Sequence, residues 1–194
     1  MLPGVVRSAH TMDDLTRLLV AAAAGDRVAV HAFVKRSQAD VWRFCAHLVD
    51  REAADDLTQD TYLRAMGSVA RFRADASART WLLAIARRAC ADEIRRRQRR
   101  RRREEPADPD RLARRGPAVV DPTAANDLHA LIDTLDHDRR AAFVLTQVLG
   151  LSYAEAAEAL EVPIGTIRSR VARAREDLVV LLTDTDDVTD LPGA

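Results

Sequence analysis

The chain has 194 residues, with 30 basic and 30 acidic side chains and a formal net charge of zero at pH 7. This length suits one large domain or two small ones, and the supply of Ala, Leu and Arg favours helical cores. A zero net charge taken alone argues against a polyanion binder, yet 87–103 is rich in arginine and the segment beyond Leu182 is acidic. The sum therefore hides two patches of opposite sign.

Neither a membrane span nor secretion is expected from the sequence. The longest apolar run, Leu18 to Ala24, is too short to cross a bilayer, and no charged leader with an apolar core opens the chain. Cys45 and Cys90 have no paired spacing and no histidine at metal-ligand distance in the sequence, which favours reduced thiols in helical cores. We expect a cytoplasmic protein that binds no metal and no cofactor.

Four helices are predicted over the first domain, residues 13–98, which follow a disordered N-terminus, 1–12. Apolar residues recur there every three or four positions without sustained alternation, as they do in helices. The breaks between the helices are predicted near Gly25, near Asp50 and within 67–77, where small and polar residues cluster.

Helical periodicity stops after residue 98. Prolines and mixed charges without large apolar residues predict a flexible linker over 99–123. A second helical domain is predicted over 124–182, and the acidic segment 183–194 is predicted to be a disordered tail. The predicted fold class is therefore all-α, with two small helical domains joined by a flexible linker.

Within the second domain, the residues from Ser152 onward predict a helix-turn-helix. Ser152 and Glu155 form a capping box that begins a helix, and Pro163 ends that helix and opens the next one. Ala157 is small enough to permit the close helix crossing of this motif. The turn position that is often glycine is Glu161, which would be strained in a left-handed conformation.

The second helix of this motif has two different faces. At 3.6 residues per turn, one narrow stripe is apolar and contains Ile164, Ile167, Val171, Ala174 and Leu178. The opposite face is polar and arginines flank it, which suits contact with base edges and phosphates. The candidate DNA-contacting residues are Thr166, Arg168, Ser169, Arg170 and Arg173. A charged amphipathic helix in an ordinary bundle is the alternative interpretation of this helix alone.

Three segments, in this order, resemble the extracytoplasmic-function group of bacterial sigma-70 factors. They are ADDLTQDTYLRA at 54–65, RFRADASARTWLLAIARRACADEIRR at 71–96 and LSYAEAAEALEVPIGTIRSRVARARE at 151–176. Within the group, RTWLLAIAR and GTIRSRVARAR are most similar to actinobacterial members of the sigma C kind. The resemblance implies an alternative sigma factor that binds core RNA polymerase, recognises the minus-thirty-five and minus-ten promoter elements, melts promoter DNA and starts transcription.

The resemblance also assigns contacts to the two domains. The helix from about Ala53 to Met66 would bind the coiled coil of the beta-prime clamp through one face, formed by Asp56, Gln59, Asp60 and Leu63. The second domain would read the minus-thirty-five element through the arginine-flanked helix and dock on the beta flap. Paired carboxylates that hold a metal are a weaker interpretation of the acidic face, since no histidine or third carboxylate completes such a site.

The segment from Phe72 to Arg79 matches the family's loop that captures bases of the minus-ten element. Melting requires these bases to leave the stack, at a cost recovered by a pocket and by stacking. The candidates are Phe72, Arg73, Asp75 and Ser77 in the loop, with Arg88 and Asp92 on the following helix, where some family members have asparagine. Phe72 and Trp81 are alternatively core residues, and we favour the core for Trp81.

Three questions are left open by the sequence. The run from Arg95 to Arg103 either extends the last helix of the first domain along upstream DNA phosphates or forms a solvated basic linker. Many relatives are held by an anti-sigma protein, and no residue here identifies one. A free-standing repressor or response-regulator output module would explain 124–182 but not the first domain. An enzyme is disfavoured, because no nucleophile-base pair, phosphate-binding glycine loop or metal cluster is present.

Overall fold

Helices make up nearly all of the two segments that the computed structural model describes, residues 12–104 and 124–189. The first segment forms a unit of four α-helices, α1 (Asp14–Ala23), α2 (Arg27–Leu48), α3 (Arg51–Ser68) and α4 (Ala78–Glu104). The second segment forms α5 (Ala124–Thr134), α6 (His137–Phe143), α7 (Tyr153–Leu160) and α8 (Ile164–Thr189). These two segments contain no strand, and the all-α prediction is confirmed.

The helices begin where the sequence supplies a side-chain acceptor. An N-terminal turn leaves backbone N–H groups without helical partners, and an aspartate before the helix can accept from them. Four helices begin in this way, after Asp13, Asp26, Asp50 and Asp136. Gly25, with a φ of 96°, forms the tight turn between α1 and α2. The predicted breaks near Gly25, near Asp50 and within 67–77 are confirmed.

One buried apolar cluster runs through both helical units. In the first unit it is built around Phe33 and Phe44 of α2 and Leu82 of α4, all at most 1% exposed. In the second unit the same cluster includes Leu145 and Ile167. The units meet mainly where α7 packs on α4 and where α5 and α6 pack on α2. The two units are thus in direct contact, with a continuous core.

Two helices extend further than the sequence patterns predicted. Helix α4 continues to Glu104, past the predicted boundary at residue 98, and α8 continues to Thr189, into the predicted acidic tail. Both extensions are mostly polar, so they carry no apolar periodicity to signal a helix. Arginine and glutamate, which make up the α4 extension, are good helix formers, whereas the Thr and Asp residues of the α8 extension are not, and their sequence gives no reason for a helix there. The predicted N-terminal segment, except Met12, and most of the predicted linker lie outside the described residues.

The two cysteines are neighbours inside the first unit. Cys45 of α2 and Cys90 of α4 are both fully buried and form no disulfide. A hydrogen bond with the Cys45 thiol, together with burial, raises the pKa of the Cys90 thiol. The predicted burial of both cysteines in a helical core is confirmed, and their reduced state stays a prediction. No helix in the described part of the chain has the length and apolar character to span a membrane.

Candidate nucleic-acid and polymerase interfaces

The helix-turn-helix forms as its sequence predicts. The Glu155 amide donates to Ser152 Oγ over 3.2 Å, and the Ser152 amide donates to Glu155 Oε2 over 2.8 Å, so the capping box is complete. Helix α7 ends at Leu160, and α8 begins directly after Pro163. Helices α6 and α7 both pack on α8, which gives the motif its shape.

Glu161, at the turn position that is often glycine, adopts a left-handed conformation, with φ 56° and ψ 44°. This conformation costs a residue other than glycine about 1 kcal/mol. The same side chain forms ion pairs with Arg87, at 2.7 Å, and with Arg88 of α4. These arginines lower the pKa of the Glu161 carboxyl, chiefly through the hydrogen bond from Arg88. A contact between the two units therefore accompanies the strained turn.

The apolar stripe of α8 is buried except at its first position. Ile167, Val171, Ala174 and Leu178 are at most 7% exposed, whereas Ile164 is 41% exposed. Ile164 shares the apolar stripe in the sequence but lies outside its buried part. Ile164 belongs to the first turn, at the end of the stripe, and the core begins with Ile167, one turn further along the helix.

The polar face of α8 contains both exposed and half-buried side chains. Arg168, Ser169 and Arg173 are exposed, while Thr166 and Arg170 are half-buried. Arg170 forms an ion pair with Asp138 of α6. Sequence spacing alone could not detect this pairing, because Asp138 precedes the motif and reaches α8 only through the fold. Three of the five predicted DNA-contacting residues thus lie together on an accessible row.

The predicted polymerase-binding face of α3 is also accessible. Asp56 and Gln59 are exposed, Leu63 is 68% exposed, and Asp60 is half-buried with Oδ2 at 2.8 Å from Arg64. Two grooves flank this face. Asp56 and Asp60 line a groove of about 660 Å³ between α3 and α4, and Gln59 and Leu63 line one of about 390 Å³ between α2 and α3.

The loop before α4 encloses a small open cavity of about 180 Å³. Phe72, Arg73 and Asp75 line it together with Trp81, whose ring centroid lies 5.3 Å from that of Phe72. Phe72 and Trp81 are both half-buried and pack on the core, so each has one side in the core and one at the cavity. Ser77 is not among the lining residues; its Oγ accepts from the Thr80 amide over 3.1 Å at the start of α4.

The two candidates on α4 each have partners elsewhere in the chain. Arg88 is paired with Glu161 of the second unit. Asp92 accepts from Arg64 and from Arg95, both at 2.6 Å, and these hydrogen bonds lower the pKa of its carboxyl. The structure does not bring Arg88 or Asp92 into the lining of the loop cavity.

Two family models match this architecture, unit by unit. The model "Sigma-70 region 2" matches residues 33–100, and "Sigma-70, region 4" matches residues 125–178. The ECF RNA polymerase sigma factor SigC of Mycobacterium tuberculosis is 49% identical over 190 residues, which cover 94% of this chain and 99% of the relative.

The chain belongs to the extracytoplasmic-function group of the sigma-70 family.

Other members of the family are similar over most of their length. The sigma factor SigE of Mycolicibacterium smegmatis is 36% identical over 174 residues, covering 86% of this chain and 67% of the relative. CnrH, solved with the cytosolic domain of CnrY, has a TM-score of 0.68 at 26% identity and covers 88% of this chain and 99% of its own. RpoE of Bartonella quintana, solved with the anti-sigma factor NepR, has a TM-score of 0.65 at 28% identity and covers 77% and 94%.

Polar contacts reinforce the packing of sigma region 4 on sigma region 2. Arg79 of α4 donates from Nη2 to the Leu149 carbonyl over 2.6 Å and pairs with Asp40 of α2 at 2.7 Å. The backbone carbonyl of His47 accepts from Arg140 of α6 over 3.3 Å. With the Glu161 ion pairs, these contacts define a closed arrangement of the two regions.

Reversing the charge of Glu161 should weaken this arrangement. In the Glu161→Arg variant a third guanidinium would face Arg87 and Arg88, and both ion pairs would become repulsive. We expect a larger radius of gyration by small-angle scattering, with helix content unchanged by circular dichroism. Glu158→Arg, the same change at an exposed position of α7, is the matched control and should leave the radius unchanged. Identical radii for all three proteins would show that the Glu161 contacts do not hold the regions together.

Proposed function

We propose that this chain is an alternative sigma factor that binds core RNA polymerase, recognises the minus-thirty-five and minus-ten elements, melts promoter DNA and starts transcription. The observation that carries the proposal is the accessible row of Arg168, Ser169 and Arg173 on the second helix of a helix-turn-helix. The same chain presents an accessible acidic and apolar face on α3. Membership of the sigma-70 family supports both assignments.

Region 4 reads the minus-thirty-five element in this proposal. The buried stripe of α8 turns Arg168 and Arg173 outward, and an arginine fork suits guanine edges in the major groove and phosphates beside it. Ser169 is short and lies between them, where it can approach the bases closely. Arg170 is paired with Asp138 of α6 and could contact DNA only if this ion pair broke. We therefore propose that Arg170 positions α8 against α6.

Region 2 binds the polymerase and opens the minus-ten element. Asp56 and Asp60 offer negative charge to the basic residues of the beta-prime coiled coil, and Leu63 offers exposed apolar area beside them. Phe72 and Trp81 give the loop cavity an aromatic wall on which an unstacked base can lie. Arg73 and Asp75 at the same cavity supply polar groups for a base edge.

The remaining assignments follow from this activity. A transcription initiation factor needs no catalytic residue of its own, and we propose that the chain is not an enzyme. It would work in the cytoplasm at the nucleoid, with core polymerase and promoter DNA as partners. Because CnrH and RpoE were solved with CnrY and with an anti-sigma factor, an anti-sigma protein is a further proposed partner.

The competing function is a free-standing operator-binding protein that uses the same helix-turn-helix. The two proposals differ in what specific DNA binding requires. A sigma factor should shift promoter DNA specifically only with core polymerase, whereas a repressor should shift it alone. A gel shift with and without core polymerase distinguishes them.

Two substitutions should separate polymerase binding from promoter choice. Asp60→Arg places a cation against the basic coiled coil and should abolish core binding in a pull-down. Arg173→Ala should leave core binding intact and reduce minus-thirty-five-dependent run-off transcription about tenfold, since one good base contact contributes about 1–3 kcal/mol.

Each substitution has a matched control. Arg175→Ala removes an exposed arginine from the same helix, one that donates to Gln147, and should leave promoter choice unchanged. Arg64→Ala removes the partner of Asp60 and tests whether Asp60 acts only by holding Arg64. If Asp60→Arg retains core binding, the assignment of α3 is wrong. If Arg173→Ala and Arg175→Ala reduce transcription equally, the assignment of the α8 row is wrong.

The arginines at the end of α4 should contribute a salt-dependent part of promoter affinity. Arg101, Arg102 and Arg103 are exposed on a helix that continues to Glu104. Replacing all three with glutamine should flatten the plot of log affinity against log salt for the holoenzyme, by about 0.9 for each phosphate that is no longer neutralised. An unchanged slope would favour the solvated-linker interpretation instead.

A further inference from the structure

Three side chains that commonly ligate metals converge where α5 packs on α2. They are His47 near the end of α2 and His129 and Asp133 of α5. One nitrogen of each imidazole and one carboxylate oxygen lie within 4.8 Å of one another. The imidazole rings are stacked, with centroids 3.8 Å apart and planes 23° apart. His129 and Asp133 are four residues apart on one helix, whereas His47 is distant in sequence, so spacing indicated only part of the cluster.

His47 carries an unused nitrogen inside the protein. The residue is only 6% exposed, and its Nδ1 is buried without a hydrogen-bond partner. Buried polar atoms are nearly always hydrogen-bonded, so an unpartnered nitrogen needs an explanation.

Asp133 supplies the negative charge of the cluster. Its Oδ1 lies 3.5 Å from Nη1 of Arg140, which also donates to the His47 carbonyl. An arginine in this position can orient one carboxylate oxygen while the other faces an ion, as outer partners of metal ligands do. Asp133 is exposed, so an ion can enter from solvent.

We propose that His47, His129 and Asp133 bind one divalent transition-metal ion, such as Zn²⁺, across the junction of the two regions. Two imidazoles and one carboxylate suit zinc, nickel and cobalt, whereas magnesium and calcium prefer oxygen ligands alone. Ligand atoms about 2.1 Å from a tetrahedral ion are about 3.4 Å apart. Imidazole lone pairs lie in the ring planes, so the two stacked rings must turn about their side-chain bonds before both nitrogens face one ion. A water molecule would complete the coordination.

The consequence of binding concerns the arrangement of the regions. His47 belongs to the region 2 unit, and the other two ligands belong to the region 4 unit. An ion held by both would stabilise the closed arrangement in addition to the Arg79 and Glu161 contacts. The site stands on these residues alone and does not depend on the proposed promoter activity.

The test uses the full chain, freed of metal by a chelator and titrated with Co²⁺ as a visible probe. We expect one Co²⁺ per chain, displaced by Zn²⁺, with the absorption of nitrogen and oxygen ligation and no sulfur charge-transfer band. The sulfur band would report the buried cysteines instead, and would overturn the proposal. His129→Ala and Asp133→Asn should each weaken binding by at least about tenfold. His31→Ala, which removes an exposed histidine outside the cluster, should not weaken it.

A second measurement distinguishes the loss of a metal ligand from misfolding as the cause of weak binding by a variant. Zn²⁺ should raise the melting temperature of the wild type and of His31→Ala, but not that of a folded His129→Ala. Circular dichroism establishes that each variant is folded before titration. Absence of stoichiometric Co²⁺ binding by the wild type would overturn the proposal. Binding that survives both His129→Ala and Asp133→Asn, or that falls equally in His31→Ala, would also overturn it.

Discussion

The burial of one apolar stripe fixes the orientation of α8, and the proposed DNA contacts depend on that orientation. Ile167, Val171 and Ala174 are at most 1% exposed, and they pack where α6 and α7 meet the helix. Removing three such side chains from water contributes several kcal/mol, far more than any single surface contact. Because a helix has a fixed period, this burial turns Arg168 and Arg173 outward. The accessible row that we propose to contact DNA is therefore a consequence of the core of region 4.

Opposite charges in this chain are used for separate purposes, which explains how a protein of zero net charge can act on DNA. The exposed arginines lie on α8 and at the end of α4, and the acidic groups proposed to meet polymerase lie on α3. Other charges link the helices to each other. Arg64 joins Asp60 of α3 to Asp92 of α4, and Glu161 joins α7 to two arginines of α4. The net charge of zero therefore indicates neither the exposed charged surfaces nor the ion pairs between helices.

Local signals in the sequence predicted most of the fold and much of the candidate site. Aspartate caps, the capping box at Ser152 and Pro163 define helix ends within a few residues, so the predicted helix-turn-helix is confirmed. Contacts between distant segments had no such signal. The pairing of Arg170 with Asp138 and the stack of His47 on His129 arise only when helices meet. The polar ends of α4 and α8 were underestimated because solvated helices need no apolar period.

If this chain gives RNA polymerase its choice of promoter, run-off transcription will show it directly. The reaction contains core polymerase and the full chain, with a library of promoters from the genome that encodes the chain. We predict discrete transcripts that appear only when both core polymerase and the chain are present. A library in which no promoter yielded a chain-dependent transcript, while the chain alone bound specific DNA tightly, would contradict this function.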